Sequence, residues 1–292
     1  MLRIADSRTG RLVEIPAAPH RHLLRVCVRL DPAGEAGTAP QTMDPRGPLV
    51  GDLLARVAEL QGLQSHTVLV VPDPAPSSPS SRGSARGSAR ESARERNTAA
   101  LGRALSALGI HPPAVTGAPP ATDALCAAAD VHVHADNGAL AGALPEPPGA
   151  ALIEVSEGGA LPLRLLDAAP SDGLLPGSGP PHDPLAVRLW LLRRPYAAPA
   201  APDDAGLDDA RRTLARWRRQ VAAWAREPSR PVPAEVLREA QNALSEDLDV
   251  PAVLGLLEGL ADRGDVPAGA RFETFALLDR VLGLDLAREV GG

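Results

Sequence analysis

A chain of 292 residues has room for two domains of ordinary size, and its 44% apolar residues are enough for a real core. Only 2% are aromatic, so that core has to be built from Leu, Val and Ala. The net charge of −6 argues against a generally basic nucleic-acid binder while leaving room for a local basic face. There is no lysine, which excludes lysine Schiff-base chemistry and any phosphate-holding lysine. Two cysteines, Cys27 and Cys126, do not make a disulfide framework. The opening MLRIADSRTG lacks the apolar run of a signal peptide and no apolar stretch is long enough to span a membrane, so a soluble cytoplasmic protein is expected.

Residues 2–15 read as a hairpin: Ile4 opens one apolar run, 7–10 are turn chemistry, and Leu12, Val13 and Ile15 follow. LLRVCVRL, 23–30, alternates and predicts a strand with Arg25 and Arg29 opposite Val26 and Val28. Residues 31–47 read as a loop. Over 49–60, Leu49, Leu53, Leu54, Val57 and Leu60 share one helical face, which Gly62 ends. HTVLVV, 66–71, has the nearly all-apolar character of a strand buried on both faces of a parallel sheet. Strand, helix and strand at this distance form a βαβ unit.

Residues 73–81 form a Pro/Ser linker, after which a four-residue repeat brings Arg82, Arg86, Arg90 and Arg94 into register. On a helix these would make a basic stripe; the composition favours a mobile Ser/Arg/Gly segment, giving a flexible insert at about 73–96. A helix over 98–108 carries Leu101, Leu105 and Leu108, with Gly109 as its cap and Pro112 and Pro113 preventing continuation. A short Ala-rich helix follows over 122–129, then a strand at 131–134 (VHVH), a loop at 140–149, a strand at 151–155 (ALIEV) and a further one over 161–166. The Gly/Pro/Ser-rich 171–181 marks the domain boundary.

Beyond it the chain turns helical. Pro184 sits in the first turn of a helix carrying Leu185, Val187, Leu189, Leu191 and Leu192, which Pro195 ends. Asp203, Asp204, Asp208 and Asp209 crowd the start of the next, where acidic groups suit the helix dipole. Leu207, Leu214, Trp217, Val221 and Trp224 then fall at the spacing of a packing seam. Helices over 234–244, 251–260 and 272–284 follow, and the short loops imply antiparallel neighbours in a bundle.

HDPLAVRLWLLRRPYAAP is similar to the DPEALRxFLL…HYRSP segment of cysteinyl-tRNA synthetases, and SEDLDVPAVLGLL to their DDDFNTPEALAVL. Towards the N-terminus, MLRIADSRTGRLVEI resembles the family's opening MLRLYDTLTGRKEPF, and LVGDLLARVAELQGLQSHTVLVV its VVFDVLRRYLEYLGYKVTYVR. NTAALGRALSALGIHPPAVTGAPPAT resembles YTEAFLEDLKALGVLPPDVxPRAT, and ALIEVSEGG the WHIECS strand. The blocks are colinear and cover most of the chain. This class I aminoacyl-tRNA synthetase family activates cysteine with ATP, transfers it to tRNA and holds the thiol on zinc. The resemblance implies an α/β fold: a degenerate Rossmann-like nucleotide-binding domain over 1–175, followed by an antiparallel helical bundle over 182–292. The sequence ends after that bundle, with no counterpart of the family's small anticodon module.

Set against the family's motifs, the chain departs where the chemistry lies. The zinc cysteines fall at about Arg29 and at Val155, and the HHENE ligand segment has no counterpart, so the zinc ligands are absent. The HIGH signature is replaced by Gln41, Thr42, Met43 and Asp44, and the KMSKS lysines are missing. Matching positions survive at Arg46, Glu154 and Ser156, the remaining cofactor-binding candidates; no catalytic residue is assigned. Cys27, Cys126, His132 and His134 fit no metal-motif spacing, Ser156 lacks a G-x-S-x-G setting, and His132 and His134 read most simply as exposed strand histidines.

The strongest basic feature is Arg211, Arg212, Arg216, Arg218 and Arg219, joined by Arg193 and Arg194. In the family this region lies along tRNA, which implies an RNA or partner surface; the simpler reading is a solvated face salt-bridged to the Asp-rich turn before it. The expectation is therefore a cysteinyl-tRNA synthetase paralogue that has become a pseudoenzyme, binding a protein partner or tRNA but neither DNA nor membrane. No cofactor is expected, ATP being the one left open. The alternatives are a divergent ATP-dependent amino-acid-activating ligase and a tRNA-binding protein without chemistry.

Overall fold

The structure, a computed structural model, describes residues 1–15, 22–30, 42–71, 84–118, 122–135, 150–156, 161–162, 183–201 and 203–292. The expected loop at 140–149, the linkers at 73–81 and 171–181, and most of 31–47 and 161–166 lie outside these.

Strand β1 (Arg3–Asp6) pairs antiparallel with β2 (Arg11–Glu14), as the turn chemistry at 7–10 predicts. Next come β3 (Leu23–Arg29), the two-residue β4 (Thr42–Met43), helix α1 (Arg46–Leu60) and β5 (Gln64–Val70). Helix α1 buries Leu49, Leu53, Leu54 and Val57, and lies so close to the sheet that a Cβ on Gly51 would stand 2.5 Å from Val28 Cγ2. Glycine is required there by space rather than by backbone angle.

Helix α2 (Ser84–Ala107) corrects the expected flexible insert: residues 84–96 are its N-terminal half. Ala, Arg and Glu are strong helix formers, and that preference carries the backbone through the repeat despite Gly87. The chain leaves the helix through Gly109 at φ +67°, the left-handed position foreseen for it. Strand β6 (Val115–Gly117), which sequence pattern did not reveal, precedes α3 (Asp123–Ala127), β7 (Val131–Ala135), β8 (Ala151–Val155) and β9 (Leu161–Pro162). Strand β9 pairs antiparallel with β4.

Five strands form one parallel sheet in the order β6-β5-β3-β7-β8. Counted by their appearance in the chain this is 3-2-1-4-5, the doubly wound order of a Rossmann-like sheet, with the winding reversing between β3 and β7. The β1–β2 hairpin leans on β8, where Ser7 N–H donates to the Leu152 carbonyl at 2.9 Å.

Helices α4 (Pro184–Leu192), α5 (Asp204–Trp224), α6 (Ala234–Ser245), α7 (Val250–Ala261) and α8 (Ala268–Leu282) follow. Asp183, Asp203 and Asp249 cap α4, α5 and α7 by accepting the N–H of Leu185, Gly206 and Ala252. The predicted seam is buried at Leu214, Trp217, Val221 and Trp224. Phe275 meets Trp217 and Trp224 edge-on at 5.7 and 5.2 Å between ring centroids. Apolar residues of both halves, from Leu2 to Leu286, join one continuous cluster. No helix among the described residues is long and apolar enough to cross a membrane.

Candidate functional site

Doubly wound sheets bind ligands beyond the carboxyl ends of their strands, at the point where the winding reverses. Register defines what stands there. Gly117 pairs with Val70, Val70 with Arg29, Arg29 with His134 and His134 with Glu154, giving one row across the sheet at its carboxyl edge. Two residues earlier lies a second row: Val115, Val68, Cys27, His132 and Leu152. Alternation puts both rows on the same face. The intervening Val28, Leu69, Val133 and Ile153 face the other way, into the main core with α1.

The lower row is sealed by α3. Cys27 and Cys126 form a disulfide, 99 residues apart in sequence and 5.3 Å between Cα atoms. With Val68, Val70 and Ala129 they make a small apolar cluster separate from the main core. This corrects the expectation that the two cysteines make no disulfide framework: β3 and α3 lie far apart in the chain, and only the sheet's winding superimposes them.

The histidines also depart from expectation. His132 and His134 are buried, at 8% and 4% exposure, instead of lying on an open strand face. Neither ring nitrogen of His132 has a hydrogen-bond partner. Burial, reinforced by Arg29, His134 and Arg8, lowers its pKa to about 4. An unfolded imidazole titrates near 6.5, so between these values the unfolded chain takes up a proton that the folded chain refuses. Stability should therefore be full above pH 6.5 and fall by about 2–3 kcal/mol as pH drops towards 4. Urea titrations at pH 7, 5.5 and 4.5 on the native protein and His132→Gln should show the smaller slope in the variant; parallel slopes would refute the assignment.

Arg46 and Ser156 are brought together, but each is engaged in holding backbone. The Arg46 guanidinium donates to the carbonyls of Ser156 (2.7 Å), Pro195 (2.9 Å) and Tyr196 (3.0 Å). Ser156 Oγ donates to the Ala197 carbonyl at 2.6 Å. At the start of α1, Asp44 Oδ1 accepts the Arg46 N–H at 2.9 Å, so a carboxylate of the chain itself sits where that helix end would attract an anion. Glu154 stands two strands from Arg29 in the upper row, its N–H donating to Ser7 Oγ at 2.8 Å.

The arginine stripe is largely paired with acids. Arg193 bonds Asp209 and Thr213, Arg211 pairs with Asp208, Arg212 with Asp209, and Arg216 with Glu258. Arg194 lies 4.7 Å over the Trp190 ring and 4.0 Å from Asp203. Arg218, which the sequence places among them, is buried and bonds Asp183 and the Leu284 and Asp285 carbonyls. Arg219 borders a shallow hollow with Arg226 and Arg288.

The implied zinc does not fit these residues. A valine stands at one ligand position and an arginine, itself a cation, at the other. No group of three or more His, Cys, Asp or Glu suited to a metal occurs among the described residues.

Fold and register thus define a Rossmann-like α/β protein with a polar row at its switch point. Over about 108 residues, 36% of its length, the chain is similar to proteins named L-cysteine:1D-myo-inositol 2-amino-2-deoxy-alpha-D-glucopyranoside ligase. Identity is 38% with that of Nocardiopsis dassonvillei, 35% with that of Streptomyces scabiei and 33% with that of Mycobacterium tuberculosis. The aligned segment spans about a quarter of those proteins, 26%, 25% and 25% respectively. No family model matches the chain.

Proposed function

We propose that this chain is a binding protein on a cysteine-ligase-type scaffold that does not activate an amino acid. The observation that carries this reading is the start of α1. Phosphate binding there needs free N–H groups and a positive end, but Asp44 takes the Arg46 N–H and three carbonyls take the Arg46 guanidinium. No lysine replaces the lost positive charge. ATP–pyrophosphate exchange with the twenty amino acids, cysteine included, should stay at the no-enzyme background; clear exchange with any of them overturns the proposal.

Such exchange would instead support a divergent ATP-dependent ligase, the reading favoured by the names of the relatives. As to partner, the pairing of the stripe supports a protein surface over tRNA. Phosphate contact would have to displace Asp208, Asp209 and Glu258 from Arg211, Arg212 and Arg216. We expect tRNA affinity at 200 mM KCl to be weak and unchanged by Arg212→Glu and Arg216→Glu. A steep salt dependence abolished by those substitutions would reinstate the RNA surface.

A further inference from the structure

The α3 face of the sheet's carboxyl edge contains polar groups that the proposed function does not use. Arg29 Nε, both nitrogens of His132 and Thr122 Oγ1 are buried without a hydrogen-bond partner. His132 is 8% and Thr122 1% exposed. Left unpartnered, each such group lowers the stability of the fold, and the coincidence of Arg29 and His132 on one face calls for a common partner.

Geometry places Arg29 and His132 around one spot. Arg29 is one strand over and two residues on from His132, a diagonal neighbour that a long side chain reaches. Thr122 stands apart from them: its Cγ2 lies 3.1 Å from where a Cβ on Gly117 would stand, two strands from Arg29 in the same row, with the buried Val70 between. The sheet's winding reverses between the strands that carry Arg29 and His132. Below, the Cys27–Cys126 disulfide and Val68 close the floor.

We propose that Arg29 and His132 bind a single small oxyanion, a carboxylate or phosphate group, at the carboxyl ends of β3 and β7. Both can donate to it: the guanidinium as the charged fork and the neutral imidazole through one N–H. Arg8, which is bonded to Asp6 and to the Ala150 carbonyl, adds positive potential from the hairpin side. Asp123 acts electrostatically on Arg29 without closing an ion pair, and limits the site to one anionic group. A buried water could satisfy the same donors, but would give no response to anions.

The test compares thermal unfolding of the full chain at pH 7.5 in rising inorganic phosphate, sodium acetate or sodium chloride at constant ionic strength. Phosphate or acetate should raise the melting temperature saturably beyond chloride, by about 3 °C at ten times the dissociation constant. The more effective anion names the source. Arg29→Gln removes a guanidinium whose Nε has no partner, so it should fold; its dissociation constant should rise about tenfold or more. In the native protein the His132 ring-proton resonance should shift with the same midpoint. Equal melting curves in all three salts overturn the site, as does an equal response of Arg29→Gln. Neither result bears on ATP–pyrophosphate exchange.

Discussion

Asp52→Ala is expected to destabilise the protein by about 3–5 kcal/mol, because it leaves two buried guanidiniums without their shared carboxylate. The Asp52 side chain is 1% exposed. Its Oδ2 accepts from Arg56 Nε at 2.8 Å and Arg188 Nη2 at 2.7 Å, and its Oδ1 accepts the His111 N–H at 3.0 Å. One carboxylate facing two guanidiniums leaves an excess positive charge, and the surrounding backbone offsets it. Arg188 donates to the Leu282 (2.5 Å) and Leu108 (3.0 Å) carbonyls, and Arg56 to those of Arg280 (2.9 Å) and Gly109 (2.6 Å). These carbonyls belong to the last turns or exits of α8 and α2, the negative ends of two helices. Gly283, at φ +62°, ends α8, and a Cβ there would stand 3.0 Å from Arg188 Nη2.

The network joins α1, α2, α4 and α8, so it connects the sheet half to the helical half. Burial lowers the Arg188 pKa, with Asp52 working in the opposite direction. Urea denaturation followed by circular dichroism should give one transition for the native protein. Asp52→Ala should shift its midpoint to markedly lower urea, and Arg188→Met should lose less because Arg56 continues to balance Asp52. The double substitution should cost less than the sum of the singles. A loss below about 1 kcal/mol for Asp52→Ala would show that the network contributes little to stability.

What was legible in the sequence follows the range of the physics involved. Periodicity is local, so the hairpin, β3, α1, β5, β7, β8 and the helices after residue 183 all follow from residue spacing. Acidic residues at a helix start are also local, and Asp203, Asp204, Asp208 and Asp209 marked that end by their charge; that Asp203 caps it is seen only in the structure. Charge partners are not local. HDPLAVRLWLL presents Arg188 inside an apolar helix with nothing to indicate a carboxylate 136 residues away. Arg218 shares the spacing of the exposed arginines, and only packing against residues 284–285 distinguishes it. Strand β6 is three residues long, too short for alternation to register. The candidate row at the switch point combines single residues from five strands; VHVH and LLRVCVRL reveal its members, but only sheet order makes them neighbours.

Reducing the Cys27–Cys126 bridge is the second change with a large expected effect, a loss of about 2–4 kcal/mol. The bridge closes a loop spanning β3, α1, β5, α2 and β6, and its removal returns that loop's conformational freedom to the unfolded chain. Packing adds a smaller term, since both sulfurs sit among Val68, Val70 and Ala129. Comparing melts with and without a phosphine reductant measures the total. Cys27→Ala with Cys126→Ala should reproduce the reduced value, and should then be insensitive to reductant. Peptide mapping under non-reducing conditions should recover the two cysteine segments as one species; free thiols in the folded protein would sink the assignment. A bridge is at odds with the expectation of a cytoplasmic protein, since that compartment keeps thiols reduced. Its burial offers a reconciliation that can be measured. Cys27 and Cys126 are 0% and 1% exposed, so a thiolate cannot reach either sulfur until α3 lifts. Helix α3 has five residues and a single buried side chain, that of Cys126, so it should open locally, well below the cost of global unfolding. The rate of reduction should therefore exceed the rate of global unfolding and level off as dithiol concentration rises. Reduction no faster than unfolding would mean instead that α3 is held as firmly as the core.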